Sequence, residues 1–401
     1  KRYDLLVWLV VFSLALRLVA VYFVRDTHLD NEWQILVNNL VNYKSYSFYT
    51  FDNQLIPSAY MPPMYAFFIY LIKIVTSFNE VNLVYSIIFI QIVFSIYSIY
   101  LFYQISQNFF SNKISLISAF IFSAIPLNIY SCGQISSINL QIILSLLFLK
   151  YLIKLKNQDR FLNILSFSIF SGLLILTRGE FILIFILIII YAFFTKKVNF
   201  SNLIKIFIIA SLIVSPYVVR NYVNFNQIFI VKSLGYNLWK GNNQFSQAGG
   251  YENLKKIEFK KLNDQLNILD KNQFYEINRD KIFLNEAINN LQKNSFHYLK
   301  LFFEKLFSYY FIDLNSKYPN YYNYFHILPI LIISILSFPG LFTFYQNDKL
   351  ARKYIVLYLF INLIIFSVFF ILPRYKLIIL PVQIILAVHF IVYIMRKYVS
   401  K

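Results

Sequence analysis

The chain has 401 residues, of which 59% are hydrophobic and only 14% charged, so it carries far more apolar surface than one soluble core can bury. Its formal charge of +19 would suit a nucleic-acid binder, but the basic residues sit in short clusters between apolar segments; this argues against nucleic acid and for membrane orientation. A single cysteine, Cys132, excludes an intramolecular disulfide framework, and His28, His297, His326 and His389 fall at no metal-binding spacing.

Apolar runs long enough to cross about 30 Å of hydrocarbon as helix recur along the chain, without the strict alternation of a barrel strand. The reading is an all-α polytopic membrane protein of about ten transmembrane helices, within a range of 9–13. Spans are expected near 4–24, 83–104, 114–130, 138–155, 161–177, 181–195, 203–219, 324–345, 353–372 and 376–395. The first run lacks a small-residue cleavage site followed by a soluble body and reads as a permanent span. Residues 64–78 are apolar but short and follow Pro62-Pro63, as an interfacial or re-entrant segment would.

With ten spans, Lys1/Arg2, Lys113, Lys154/Lys156/Arg160, Lys196/Lys197, Lys349/Arg352/Lys353 and Arg396/Lys397/Lys401 share one side, which the positive-inside rule makes cytoplasmic, both termini included. Residues 25–82, 131–137, 178–180, 220–323 and 373–375 then share the outer face. This divides the chain into an N-terminal transmembrane module, 1–219, with a large first outer loop, 25–82; an outer loop domain, 220–323; and C-terminal transmembrane helices, 324–401. In the late loop Phe274, Ile277, Ile282, Phe283, Ile288 and Leu291 recur at helical spacing in a polar background, the pattern of amphipathic helices.

The first outer loop opens with Asp30-Asn31-Glu32-Trp33. Two acids just beyond a membrane span suit a general base, since partial desolvation raises a carboxylate's pKa toward neutrality. Two residues apart, they would point about 200° from each other on a helix and share a side only in an extended loop. The plainer alternative makes Asp30 the cap of a helix that Glu32 opens. Arg178 sits in Leu176-Thr177-Arg178-Gly179-Glu180, a short break at headgroup depth, where its planar fork suits a phosphate or simply pairs with Glu180. Arg374-Tyr375-Lys376 and Arg220 place further cations at outer breaks. Arg17, inside the first span, must face protein, water or a lipid phosphate, and a structural pairing role is expected. No GxGxxG, P-loop, GxSxG or HExxH appears, so an enzyme here would take its activated substrate from the bilayer.

In this order the motifs resemble the GT-C glycosyltransferases, specifically the bacterial branch of protein O-mannosyltransferases and lipid A aminoarabinose transferases. The matching residues are Asp30-Asn31-Glu32-Trp33, Tyr60-Met61-Pro62-Pro63-Met64-Tyr65, Leu176-Thr177-Arg178-Gly179-Glu180 and Pro216-Tyr217-Val218-Val219-Arg220-Asn221-Tyr222. Then come Gly235-Tyr236-Asn237-Leu238-Trp239-Lys240-Gly241-Asn242-Asn243 and Arg374-Tyr375-Lys376.

The resemblance implies interfacial helices in the first outer loop, a small outer domain in the late one, and transfer with inversion from a polyprenyl-phosphate-linked sugar to a glycan, lipid or protein acceptor outside the cytoplasmic (inner) membrane. It implies Asp30 as base, with Glu32 the competing assignment, Arg178, Arg374, Lys376 and Arg220 toward the donor phosphate, and Tyr60, Pro62, Pro63, Tyr65, Glu180, Tyr375, Asn237 and Asn242 around the substrates. The chain departs from the pattern at Met61, where the family has a basic residue, and in Gln134–Asn139, which lacks the acid often found there. The sequence therefore gives a divalent metal no support. A transporter or flippase of lipid-linked glycans is the rival reading; apart from Arg17, however, the polar residues collect at the outer ends of the spans.

Overall fold

In the computed structural model, residues 2–29, 31–76, 80–155, 161–316, 323–345 and 350–399 are described. Asp30 and the loop cations Lys1, Lys156, Arg160, Lys349 and Lys401 lie outside them. The protein is a multi-pass helical membrane protein. Among the described residues six helices are long and apolar enough to cross a membrane: Leu5–Val24, Val81–Ser106, Phe200–Phe225, Tyr324–Phe344, Leu350–Val368 and Pro373–Tyr398. Shorter apolar helices join them, at Pro63–Thr76, Asn112–Ala124, Phe161–Thr177 and Phe181–Phe194.

The chain begins with α1 (Arg2–Val24), α2 (Asn31–Tyr43), a hairpin of β1 (Ser47–Phe51) and β2 (Gln54–Pro57), and α3 (Pro63–Thr76). It continues with α4 (Glu80–Ser106), α5 (Asn112–Ala124), α6 (Pro126–Ser131), α7 (Ile138–Lys154), α8 (Phe161–Thr177), α9 (Phe181–Phe194) and α10 (Phe200–Phe225). The late loop holds α11 (Leu234–Gly241), α12 (Lys260–Asn267), α13 (Tyr275–Lys293) and α14 (Ser295–Tyr310), and α15 (Tyr324–Tyr345), α16 (Leu350–Val368) and α17 (Lys376–Ile394) close the bundle.

Helix α1 shows how the bundle meets lipid. Leu9, Ser13 and Arg17, at i, i+4 and i+8, are its buried stripe, while Leu5, Trp8, Val11 and Leu18 are exposed apolar side chains of the kind a bilayer covers. Arg17 is fully buried: its Nε donates to Ser95 Oγ of α4 at 2.8 Å and its Nη1 to the carbonyls of Ser13 (3.1 Å) and Ser123 (3.3 Å). The expected pairing role is thus met by neutral oxygens on α4 and α5, which tie α1 to the bundle. At the other extreme α7 is buried along most of its length, from Ile138 through Leu149, and packs against α4, α8, α16 and α17.

Two departures from the sequence reading have local causes. The expected span 114–130 is broken between α5 and α6, because Pro126 holds Ile125 extended (φ −63°, ψ 117°) and starts a new helix with its ring at the first position. The loop after α1 contains, besides helices, the β1–β2 hairpin. Its two-residue turn Asp52-Asn53 has φ 47° and 62°, the left-handed pair that matches strand twist, and Phe51 faces Gln54 across it.

The late loop has its own apolar core. Trp239 is fully buried with its ring centre 4.8 Å from Phe283 and 5.3 Å from Phe259, and Leu262, Leu266 and Ala287 complete the cluster. The hairpin docks on this loop: Tyr49 and Phe51 pack edge-on against Tyr275 at 5.1 and 5.0 Å, and Arg279 Nη1 donates to Tyr49 Oη at 3.0 Å.

Candidate active site

The first wall of the site is the turn between β2 and α3. Glu276 of α13, buried, accepts the backbone N–H groups of Ala59 (2.5 Å) and Tyr60 (2.8 Å) and the Ser58 hydroxyl (3.0 Å). Burial pushes the Glu276 pKa up, and these donors pull against it. Arg220 holds the same turn from the other side, with Nη1 on the Ser58 carbonyl at 2.6 Å and Nη2 on the Tyr46 carbonyl at 2.8 Å. Glu32, in the first turn of α2, is exposed beside this wall, and Trp33 packs edge-on against Tyr65 at 4.9 Å.

The second wall is the break between α8 and α9. The Arg178 guanidinium lies 3.8 Å over the Tyr375 ring and 4.8 Å from Phe366, and its Nε is 3.5 Å from Glu180 Oε2. Burial works against its charge, but Tyr375 and Glu180 outweigh that and raise its pKa. Arg178 is therefore a permanent cation pinned flat on an aromatic ring. Arg374 and Tyr375 belong to a single 3-10 turn, Pro373–Tyr375, that leads into α17.

The third wall is α11. Asp280 Oδ1 accepts the Tyr236 N–H at 2.9 Å, and a Cβ on Gly235 would overlap the Asp280 carbonyl, so glycine lets α11 lie directly on α13. At its other end a Cβ on Gly241 would overlap the Phe369 carbonyl, which brings the late loop onto the break between α16 and α17. Between them Lys240 pairs with Glu252, which also accepts the Tyr236 hydroxyl at 2.8 Å.

These walls enclose a cavity of about 530 Å³. Of the sequence candidates, Glu32, Tyr60 and Pro62 line it from the segment between α1 and α3. Arg178, Glu180, Asn237, Arg374 and Tyr375 line it from the three later breaks. Asp30 lies outside the described residues. The other candidates are placed elsewhere. Lys376 is buried and donates to the carbonyls of Tyr309 (3.1 Å) and Tyr310, because the helix that begins at Lys376 turns it away from Arg374. Arg220 and Pro63 line a separate cavity of about 580 Å³ beside Tyr46 and Tyr217. Tyr65 is buried and donates to Gln91 Oε1 at 3.0 Å, and Asn242 is buried against the Val368 carbonyl and Lys305.

Several lining residues are not among the sequence candidates: Ser136, Gln141 and Glu252, and also Tyr236 and Lys240, which belong to the Gly235–Asn243 motif but are given no role there. The cavity combines three cations, Arg178, Lys240 and Arg374, with three carboxylates, Glu32, Glu180 and Glu252. Two of those carboxylates are held in ion pairs, Glu180 by Arg178 and Glu252 by Lys240. Among the described residues no three His, Cys, Asp or Glu side chains gather as metal ligands.

A family model described as dolichyl-phosphate-mannose-protein mannosyltransferase matches residues 60–219. No curated protein sequence matches the chain. Among solved structures, the oligosaccharyltransferase of Archaeoglobus fulgidus, tethered to an acceptor peptide, superposes with a TM-score of 0.61 at 14% identity over 99% of this chain and 50% of that one. The same enzyme in complex with an inhibitory peptide and a dolichol-phosphate gives 0.59 at 15% identity over 99% of this chain and 50% of that one. ArnT from Cupriavidus metallidurans in the apo state gives 0.55 at 10% identity over 98% of this chain and 61% of that one. The chain thus spans about half the length of the archaeal enzyme. It has the GT-C fold of these membrane glycosyltransferases, the fold its ordered motifs lead one to expect.

Proposed function

We propose that the protein is a glycosyltransferase that moves a sugar from a polyprenyl-phosphate-linked donor to an acceptor hydroxyl on the outer face of the cytoplasmic membrane. The observation that carries this reading is the meeting, in one cavity, of the Glu32 carboxylate with Arg178 and Arg374 at the ends of apolar helices. The acceptor oxygen attacks the anomeric carbon as its proton passes to the base. The bond from that carbon to the phosphate oxygen breaks with its electron pair, and the configuration inverts. Glu32 is the base and Asp30 the competing assignment; Arg178 and Arg374 bind the phosphate as its charge grows. Tyr60, Pro62, Glu180, Tyr375 and Asn237 shape the substrate pocket.

The dolichol-phosphate bound to the archaeal relative supports a lipid-phosphate donor. The loop cations support a cytoplasmic side for both termini. On this reading residues 1–219 and 324–401 are the membrane modules and 220–323 the outer domain that closes the cavity from above. The experiment is a comparison of cell-envelope glycans and lipids with and without the protein. The reading requires one sugar to disappear while a pool of polyprenyl-phosphate sugar accumulates on the outer leaflet. A pool trapped on the cytoplasmic leaflet would instead make the protein a flippase.

A further inference from the structure

The start of α7 brings polar groups to the cavity that neither the base nor the phosphate end uses. Ser136, Ser137, Ile138 and Gln141 line it there. Gln141 is 1% exposed, and among the described residues neither its amide oxygen nor its amide nitrogen has a hydrogen-bond partner. The Ser136 hydroxyl, 8% exposed, has none either.

The amides nearby are engaged. Gln91 accepts from Tyr65 and donates to the carbonyls of Cys132 (3.1 Å) and Gln134 (3.0 Å). Asn139 Nδ2 donates to the Ser131 carbonyl at 2.6 Å and its oxygen accepts from the Ser131 hydroxyl at 3.3 Å. Gln134 donates to the Val24 carbonyl at 2.8 Å. Buried polar groups are nearly always paired, and an unpaired amide on the most enclosed helix of the bundle calls for a partner from outside the protein. Nor does any side chain cap the first turn of α7, where Ser137 stands at the N-cap.

The chemistry of this corner selects its ligand. Residues 131–141 carry no charge. A primary amide and a hydroxyl each offer both a donor and an acceptor, as does every hydroxyl of a sugar. The donor sugar must also lie inside the cavity whatever the acceptor is. We propose that Ser136 and Gln141 form a neutral subsite that binds the hydroxyls of the donor sugar and so sets which sugar is accepted. This rests on the functional reading above and adds the specificity element to it.

The test uses the full chain in lipid nanodiscs and competition against radiolabelled undecaprenyl phosphate. The competitors are unlabelled undecaprenyl phosphate and a panel of undecaprenyl-phosphate hexoses and pentoses. Wild-type protein is expected to bind one glycosylated lipid about tenfold more tightly than the bare lipid, the gain from a pair of neutral hydrogen bonds. Gln141→Leu and Ser136→Ala should each remove most of that advantage and leave affinity for the bare lipid unchanged.

Gln141→Leu should also raise thermal stability, since it replaces an unpaired buried amide by an apolar group; a purely structural role would lower stability instead. Equal weakening of bare and glycosylated lipid would make the corner a phosphate site at the α7 N-terminus and overturn the proposal, as would unchanged affinities. If wild type binds the bare lipid but favours no sugar, the subsite falls and the functional reading stands. If wild type binds no undecaprenyl lipid, the functional reading itself falls.

Discussion

The Glu276 carboxylate of α13 accepts the backbone N–H of Tyr60, in the turn between β2 and α3, at 2.8 Å. Two segments more than 200 residues apart are joined by one buried side chain, and the joined turn forms a wall of the cavity. Glu276→Ala would strand the N–H groups of Ala59 and Tyr60 and the Ser58 hydroxyl. The expected cost is about 2–3 kcal/mol of stability, in the range for hydrogen bonds to a charged group. Thermal unfolding in detergent measures it, and transfer activity should fall further than stability alone explains because Tyr60 is no longer held. Unchanged unfolding would remove Glu276 as the tie.

Arg178 is fixed by the Tyr375 ring and by Glu180, two partners within the protein. Arg178→Ala should therefore leave the protein inserted but raise the KM for the lipid-phosphate donor about tenfold or more, the loss of one charge-assisted contact, with the KM for the acceptor unchanged. Arg178→Lys keeps the charge, loses the fork and the flat stacking, and should recover only part of the loss. Equal effects on both substrates would return Arg178 to a structural role.

Lys305 of α14 is fully buried with Asn242 Oδ1 at 2.9 Å, and burial lowers its pKa from 10.5 to about 7. Between those values the unfolded chain holds a proton that the folded one has released. Stability therefore rises with pH across that window, by up to about 1.4 kcal/mol per pH unit. Melting temperature in detergent should increase from pH 7 to pH 9, and Lys305→Met should flatten the increase. A slope that survives in Lys305→Met would have to come from other groups.

Gly241 meets the Phe369 carbonyl where α11 reaches the break between α16 and α17. Gly241→Ala should push that break, and Arg374 and Tyr375 after it, away from the cavity. An overpacking cost of about 1–3 kcal/mol is expected, with transfer activity reduced at least tenfold. Normal activity in this variant would mean that the contact yields without moving Arg374.

The helices were legible because a membrane requires long apolar runs, although Pro126 divides the span expected at 114–130 into α5 and α6, and the helix in the span expected at 353–372 ends at Val368. The cavity was legible where side chains sit in short breaks: Arg178, Glu180, Arg374 and Tyr375 have little freedom to face anywhere but the end of the bundle where their helices stop. Lys376 was not, because one further residue into a helix reverses the direction a side chain takes. Arg220 was not either, since its fork proved to serve backbone carbonyls of the first loop. Gln141 left no mark in the sequence, because a lone amide in an apolar helix looks the same whether or not its hydrogen bonds are made. Glu276 acquires its role only from contacts with a loop more than 200 residues away in the chain.

The most direct measurement is transfer of radiolabel from undecaprenyl-phosphate sugars to deletion-strain membranes, which supply the acceptor, by added purified protein. Wild type should form a labelled product and release undecaprenyl phosphate. Glu32→Gln should lower the rate by about a hundredfold or more, as loss of a general base does, with donor binding intact; Asp30→Asn, run beside it, should lower it less. Transfer at the wild-type rate by Glu32→Gln would contradict the account.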